Sequence, residues 1–283
     1  MNIRVAATST SCLDYLPENN DIDVIRMKIF INDQEYIDGV NLTAYEFYNI
    51  LNKNPRLIPK TSQPSVGEIV TYFKKVSQQG YKKIFVTTLS KHLSGSYNSI
   101  LQAKQIVKNE VEVIVYDTKT VCFSEGYFAL QAHRLFAKGA SVTEVINYLD
   151  FLRQNNTIFF VVNSLTYLIQ NGRLSKTQSL LGRFFRIKPI LQVNEEGEIV
   201  LIEKTFNIEK AFLYIIERIR LYTKNKEFLI HILFTGNPVM RQKLRLILEQ
   251  KLHLTNILEI PSAPSIGAHV GNNVLGVGVI LKS

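Results

Sequence analysis

Two hydrophobic rhythms alternate along the first half of this chain. Short apolar runs rich in β-branched and aromatic residues are followed by stretches whose apolar positions recur every three or four residues. Ile3–Thr8, Lys83–Thr88 and Val111–Tyr116 read as buried strands. Val24–Ile31 reads as a strand leading into a hairpin at Asn32-Asp33. Three capping boxes open helices: Thr43 with Glu46, Ser65 with Glu68, and Ser141 with Glu144. The box at Ser65 precedes Val66, Ile69, Val70, Phe73 and Val76, a helical stripe that stops near Gly80. Further helices are predicted after Ser96 and over residues 123–138. This alternation predicts a parallel sheet with helices on both faces. Ligands of such folds sit beyond the carboxyl ends of the strands.

Around residue 155 the pattern changes. Thr157–Val162 is a predicted strand, and Lys188–Val193 with Glu198–Glu203 reads as an antiparallel hairpin closed by Asn194–Gly197. Helices over residues 208–223 and 238–252 flank a predicted strand over Glu227–Phe234. Ile257–Ile260 and Val274–Leu281 are the last strands, joined by a Gly/Pro/Ser loop. A chain of 283 residues exceeds what one core usually serves. The expectation is an α/β protein of two domains. Residues 1–155 form a parallel-sheet α/β/α domain and residues 156–283 a mixed-sheet α/β domain.

Composition narrows the classes. Hydrophobic residues make up 46% and charged residues 20%, as in ordinary folded proteins. Cys12 and Cys122 are the only cysteines, too few for a disulfide framework or a thiolate metal site. No apolar run reaches membrane-spanning length, so a cytoplasmic location is expected. The net charge of +9 is scattered rather than gathered into a basic tract, and no nucleic-acid partner is assigned. His92, His133, His231 and His253 share no metal-ligand spacing. Neither a P-loop nor a glycine-rich dinucleotide motif is present, and no cofactor is expected.

Three segments carry the candidate chemistry. Thr61 and Ser62 stand just before the helix capped by Ser65, and Ser94-Gly95-Ser96 stands before the next one. Ser265–Asn273 holds His269 among Gly267 and Gly271, glycines that let backbone approach a ligand. Hydroxyls at helix starts, backbone amides and an imidazole suit a carboxylate or phosphate. A serine with His269 would also suit acyl hydrolysis, although no G-x-S-x-G elbow is present.

These segments carry a resemblance. Thr61-Ser62-Gln63-Pro64-Ser65, Leu93-Ser94-Gly95-Ser96-Tyr97, Asn171-Gly172-Arg173-Leu174-Ser175-Lys176, Ile187-Lys188-Pro189-Ile190-Leu191 and Gly267-Ala268-His269-Val270-Gly271 occur in order. They resemble the T-S-Q-P-S, L-S-G-T-Y, G-G-R-I-S-K, I-K-P-I-L and G-x-H-x-G motifs of the DegV family. Its bacterial fatty-acid-binding members are called FakB where they serve a fatty acid kinase. The sequence departs from the family at Thr8, where an aspartate is usual, at Asn171 and at Asn272.

The resemblance implies a long-chain fatty acid in an interdomain tunnel. Its carboxylate would be held by Thr61, Ser62, Ser94, Gly95 and His269. It also implies that the protein is a carrier rather than an enzyme. The carrier presents the acid to a separate ATP-dependent fatty acid kinase, and the acyl phosphate feeds phospholipid synthesis. Arg173, Arg183 and Arg186 form a basic segment assigned to docking the kinase or, transiently, an anionic membrane. The competing readings are a Ser/His acyl hydrolase or thioesterase, and a lipid-sensing regulator.

Overall fold

The computed structural model describes residues 2–17, 21–174 and 187–282. In chain order the first elements are β1 (Ile3–Thr8), β2 (Asp23–Ile25), β3 (Lys28–Ile31), β4 (Gln34–Ile37), α1 (Ala44–Lys53), β5 (Lys60–Ser62) and α2 (Val66–Gln78). They are followed by β6 (Lys83–Thr88), α3 (Ser96–Ile106), β7 (Glu112–Asp117), α4 (Phe123–Ala137), α5 (Val142–Gln154) and β8 (Asn156–Val161). The remainder is α6 (Thr166–Gln170), β9 (Lys188–Val193), β10 (Ile199–Thr205), α7 (Ile208–Thr223), β11 (Phe228–Phe234), α8 (Pro238–Leu252), β12 (Leu258–Pro261), α9 (Pro264–Val270) and β13 (Leu275–Leu281).

A four-stranded parallel sheet has the order β2-β1-β6-β7. Side chains alternate across it with period two. Ala6, Ile84 and Val86 bury against Ile69, Phe73 and Val76 of α2 and Ile100 and Ala103 of α3. Val5, Ala7 and Phe85 bury on the opposite face, against Phe128 and Ala132 of α4 and Leu149 of α5. The second sheet is mixed, six-stranded, with the order β10-β9-β8-β13-β11-β12. Phe159, Val161, Val277 and Val279 pack beneath α7 and α8. The other face of this sheet, with Ile158, Phe160 and Leu233, turns toward Leu89, Leu93 and Val121 at the ends of the parallel strands. No helix among the described residues is long and apolar enough to cross a membrane.

The predicted strand Val24–Ile31 is two strands in two sheets. β2 pairs in parallel with β1, whereas β3 joins β4 and β5 in a three-stranded antiparallel sheet. The break falls at Arg26-Met27. The Met27 N–H donates to Ser9 Oγ at 3.1 Å instead of to a strand, and the Asp38 N–H donates back to the Met27 carbonyl. The hairpin does turn at Asn32-Asp33, both with positive φ, the conformation that a two-residue turn demands.

All three capping boxes form. Ser65 Oγ accepts from the Glu68 N–H at 3.2 Å, and the Glu68 carboxylate accepts from the Ser65 N–H at 2.9 Å. Thr61 and Ser62, read as fringes of that helix start, lie on β5 instead. Ser65 therefore serves the fold alone. Ser65→Ala is expected to lower unfolding stability by about 1 kcal/mol, read from the urea midpoint, with ligand affinity unchanged.

Candidate functional site

A cavity of about 340 Å³ lies between the inner face of the mixed sheet and the loops that follow the parallel strands. Its body is apolar: Leu89, Leu93, Val121, Ile158, Phe160 and Leu233 contribute to the wall. Gly276, on the central strand β13, keeps that wall open, since a Cβ there would stand 3.1 Å from Phe160 Cβ. Polar side chains are contributed by Thr61 and Ser62 of β5, Ser94 before α3, Arg173 after α6 and His269 of α9.

Thr61 and His269 are joined directly, with Oγ1 and Nε2 2.7 Å apart. Burial, helped by the charge of Arg173, pushes the His269 pKa down to about 4, so the ring is neutral near pH 7. Its Nδ1 is buried without a hydrogen-bond partner among the described residues. Ser94 Oγ accepts from the Ser96 N–H at 3.2 Å and pairs with Ser96 Oγ at 2.8 Å. Ser62 Oγ donates to the Gln63 carbonyl at 2.9 Å. Arg173, which the sequence assigns to docking, stands in the cavity wall. Its Nε donates to the Leu93 carbonyl at 3.2 Å and its Nη1 to the Asn171 carbonyl. Burial lowers its pKa, and no carboxylate pairs with it among the described residues. A half-buried cation that only carbonyls hold among the described residues favours an anion beside it. Arg183 and Arg186 lie outside the described residues.

The glycines also make room within the fold. Gly95 does not line the cavity. A Cβ on it would fall 2.1 Å from Gln63 Oε1, so it makes room for the Gln63 side chain, which lines the cavity and donates to Ser99 Oγ. Gly267 lets α9 settle on α1, since a Cβ would stand 2.6 Å from the Tyr48 ring and 2.7 Å from the Phe47 ring. Gly271 has φ of 80° and abuts Tyr167. The expected loop around His269 is thus helical over Pro264–Val270, and its glycines seat the helix that aims the imidazole.

Sequence reasoning passed over the buried acids behind this wall. Glu125, on α4, accepts from the Thr8 N–H and shares hydrogen bonds with the hydroxyls of Thr8 and Thr10. Burial pushes its pKa up to about 8. Asp38 accepts from Ser9 Oγ at 2.8 Å and Ser265 Oγ at 2.5 Å, and burial pushes it up to about 6. The signal was present in Thr8-Ser9-Thr10-Ser11. Four consecutive hydroxyls after a buried strand need acceptors once they are buried. Thr8, where the resemblance expects an acid, instead donates to one.

Comparison with known proteins agrees with this architecture. The family model described as the uncharacterised DegV proteins matches residues 2–282. A DegV domain-containing protein of Staphylococcus aureus is 32% identical over 277 residues, covering 98% of this chain and 97% of its own. The DegV fatty acid binding protein from Bacillus subtilis has the same fold, with a TM-score of 0.88, 27% identity and 100% of both chains covered. A stearic acid-binding protein from Eubacterium ventriosum matches with a TM-score of 0.89 at 25% identity, covering 99% of this chain and 98% of its own. The motifs, the paired sheets and a match that runs almost from end to end converge on one conclusion: the chain belongs to the DegV family.

Proposed function

We propose that this protein binds a long-chain fatty acid in the cavity between an N-terminal domain (residues 1–155) and a C-terminal domain (156–283). The carboxylate meets Thr61, Ser62, Ser94 and His269, with Arg173 as its counter-charge. The observation that carries this reading is an apolar cavity whose wall also holds a cation and a buried histidine nitrogen that have, among the described residues, no carboxylate partner and no hydrogen-bond partner respectively. Each buried methylene contributes roughly 0.8 kcal/mol, so an acyl chain binds tightly through few polar contacts. The fatty-acid-binding relatives at 25–27% identity support the ligand class.

The protein acts as a cytoplasmic carrier. It presents the carboxylate to a separate ATP-dependent kinase, and the acyl phosphate product enters phospholipid synthesis. Docking of the kinase or of anionic membrane falls to the basic residues Arg183 and Arg186. The hydrolase reading is disfavoured by the hydrogen bonds. His269 pairs with a threonine rather than a serine, and no group among the described residues orients its Nδ1.

Native mass spectrometry of gently purified protein tests the ligand. The expected spectrum carries an added mass equal to a long-chain fatty acid, which organic extraction removes and added oleate or stearate restores. A protein that neither carries nor takes up a fatty acid overturns the reading. Acyl ester hydrolysis that is lost in Ser94→Ala would replace the carrier with a hydrolase.

A further inference from the structure

The two cysteines of this chain meet in space. Cys12 and Cys122 are the only two in 283 residues, and both belong to one apolar cluster, near enough that the charge of one sulfur acts on the other, while the Cys12 thiol donates to the Thr10 carbonyl at 3.4 Å. Both are buried, at 0% and 5% exposure. Cys122 lines the cavity and Cys12 lies behind it. Both hold left-handed backbone, with φ of 59° and 58°. At Cys122 ψ is −149°, a region that residues with a Cβ rarely adopt.

Their neighbours build this apposition. Cys122 immediately precedes α4, and Cys12 follows the tight turn Ser9–Ser11. Gly126, in the first turn of α4, allows the two segments to approach, because a Cβ there would stand 2.5 Å from the Ser11 carbonyl. Glu125, beside it, holds Thr8 and Thr10 through their hydroxyls. The start of the helix is thereby clamped to the segment that carries Cys12.

We propose that Cys12 and Cys122 form a dithiol in the cavity wall that a hydroperoxide, entering through the empty cavity, oxidises to an intrachain disulfide. Cys122, the sulfur with cavity access, attacks the O–O bond as its thiolate. It becomes a sulfenic acid, and the leaving oxygen departs as alcohol or water after protonation. Cys12 then attacks that sulfur, the S–S bond forms and a second water leaves. Two thiols are oxidised and one peroxide bond is reduced. Burial pushes the Cys12 thiol up, which disfavours it as the first attacker and leaves that step to Cys122 at the cavity. An acyl chain in the cavity covers Cys122, so the occupied protein is protected. That protection rests on the fatty-acid reading; the disulfide itself does not.

Delipidated protein is treated with hydrogen peroxide, denatured, alkylated with a maleimide and weighed intact. The expected product has lost two hydrogens, carries no maleimide and recovers both thiols on reduction. Cys12→Ser stops at a sulfenic acid that dimedone captures. Oleate-loaded protein, its loading verified by native mass, oxidises about tenfold more slowly because access controls the first attack. Two alkylatable thiols after peroxide treatment of the empty protein, or a disulfide found only between chains, overturn the proposal. Equal rates for empty and loaded protein overturn the cavity route.

Discussion

Arg173→Met is expected to weaken fatty-acid binding roughly thirtyfold and leave the fold intact. The guanidinium is half-buried, it stands in the same cavity wall as His269, and it has no carboxylate partner among the described residues. Truncating one member of a buried charge pair costs about 2–5 kcal/mol. Arg173 keeps part of its contact with water, which screens the interaction and places the loss near about 2 kcal/mol, or roughly thirtyfold in affinity. Methionine keeps the apolar stem and removes the charge. Arg173→Lys restores the charge without the planar fork and recovers only part of the affinity. Titration calorimetry with oleate or stearate reads the difference, and circular dichroism checks the fold. Unchanged affinity in a folded Arg173→Met protein would return this residue to the surface-docking role that its place after a turn suggests.

What could be read from the sequence was whatever is decided within a few residues. The boxes at Thr43, Ser65 and Ser141 are local hydrogen-bond circuits, and each forms as the spacing predicts. The strand Lys83–Thr88 ends where its apolar run ends. The split at Arg26-Met27 was hidden because distant Ser9 supplies the acceptor that pulls Met27 out of the strand. The contact between Thr61 and His269 spans 208 positions, and only family motifs could suggest it. Arg173 was grouped with the docking residues because the carbonyl that receives its Nε belongs to distant Leu93. Gly267 and Gly271 announced close approach correctly, but periodicity cannot say whether a ligand or a tyrosine ring is what approaches.

Glu125→Gln is expected to remove about 4 kcal/mol of pH dependence from folding stability between pH 5 and pH 9. Glu125 Oε2 lies 2.6 Å from Thr10 Oγ1, which lies 2.7 Å from Thr8 Oγ1, which lies 2.5 Å from Glu125 Oε1. A protonated acid closes this ring, because each of the three contacts then holds one hydrogen. The ionised acid leaves one contact without a hydrogen and leaves a charge buried at 0% exposure. Burial accordingly pushes the folded-state pKa to about 8, against about 4.3 for an unperturbed glutamate. A raised pKa means that the folded protein binds the extra proton. Its contribution is fully present below the unfolded value and is lost as pH rises through about 8. Glutamine, through its amide N–H, donates to Thr10 and completes the same ring with nothing to titrate. Urea unfolding of both proteins across that window should show the variant gaining on the wild type as pH rises. Parallel curves would mean that Glu125 is ionised throughout and that the clamp beneath Cys122 is held by charge rather than by a shared proton.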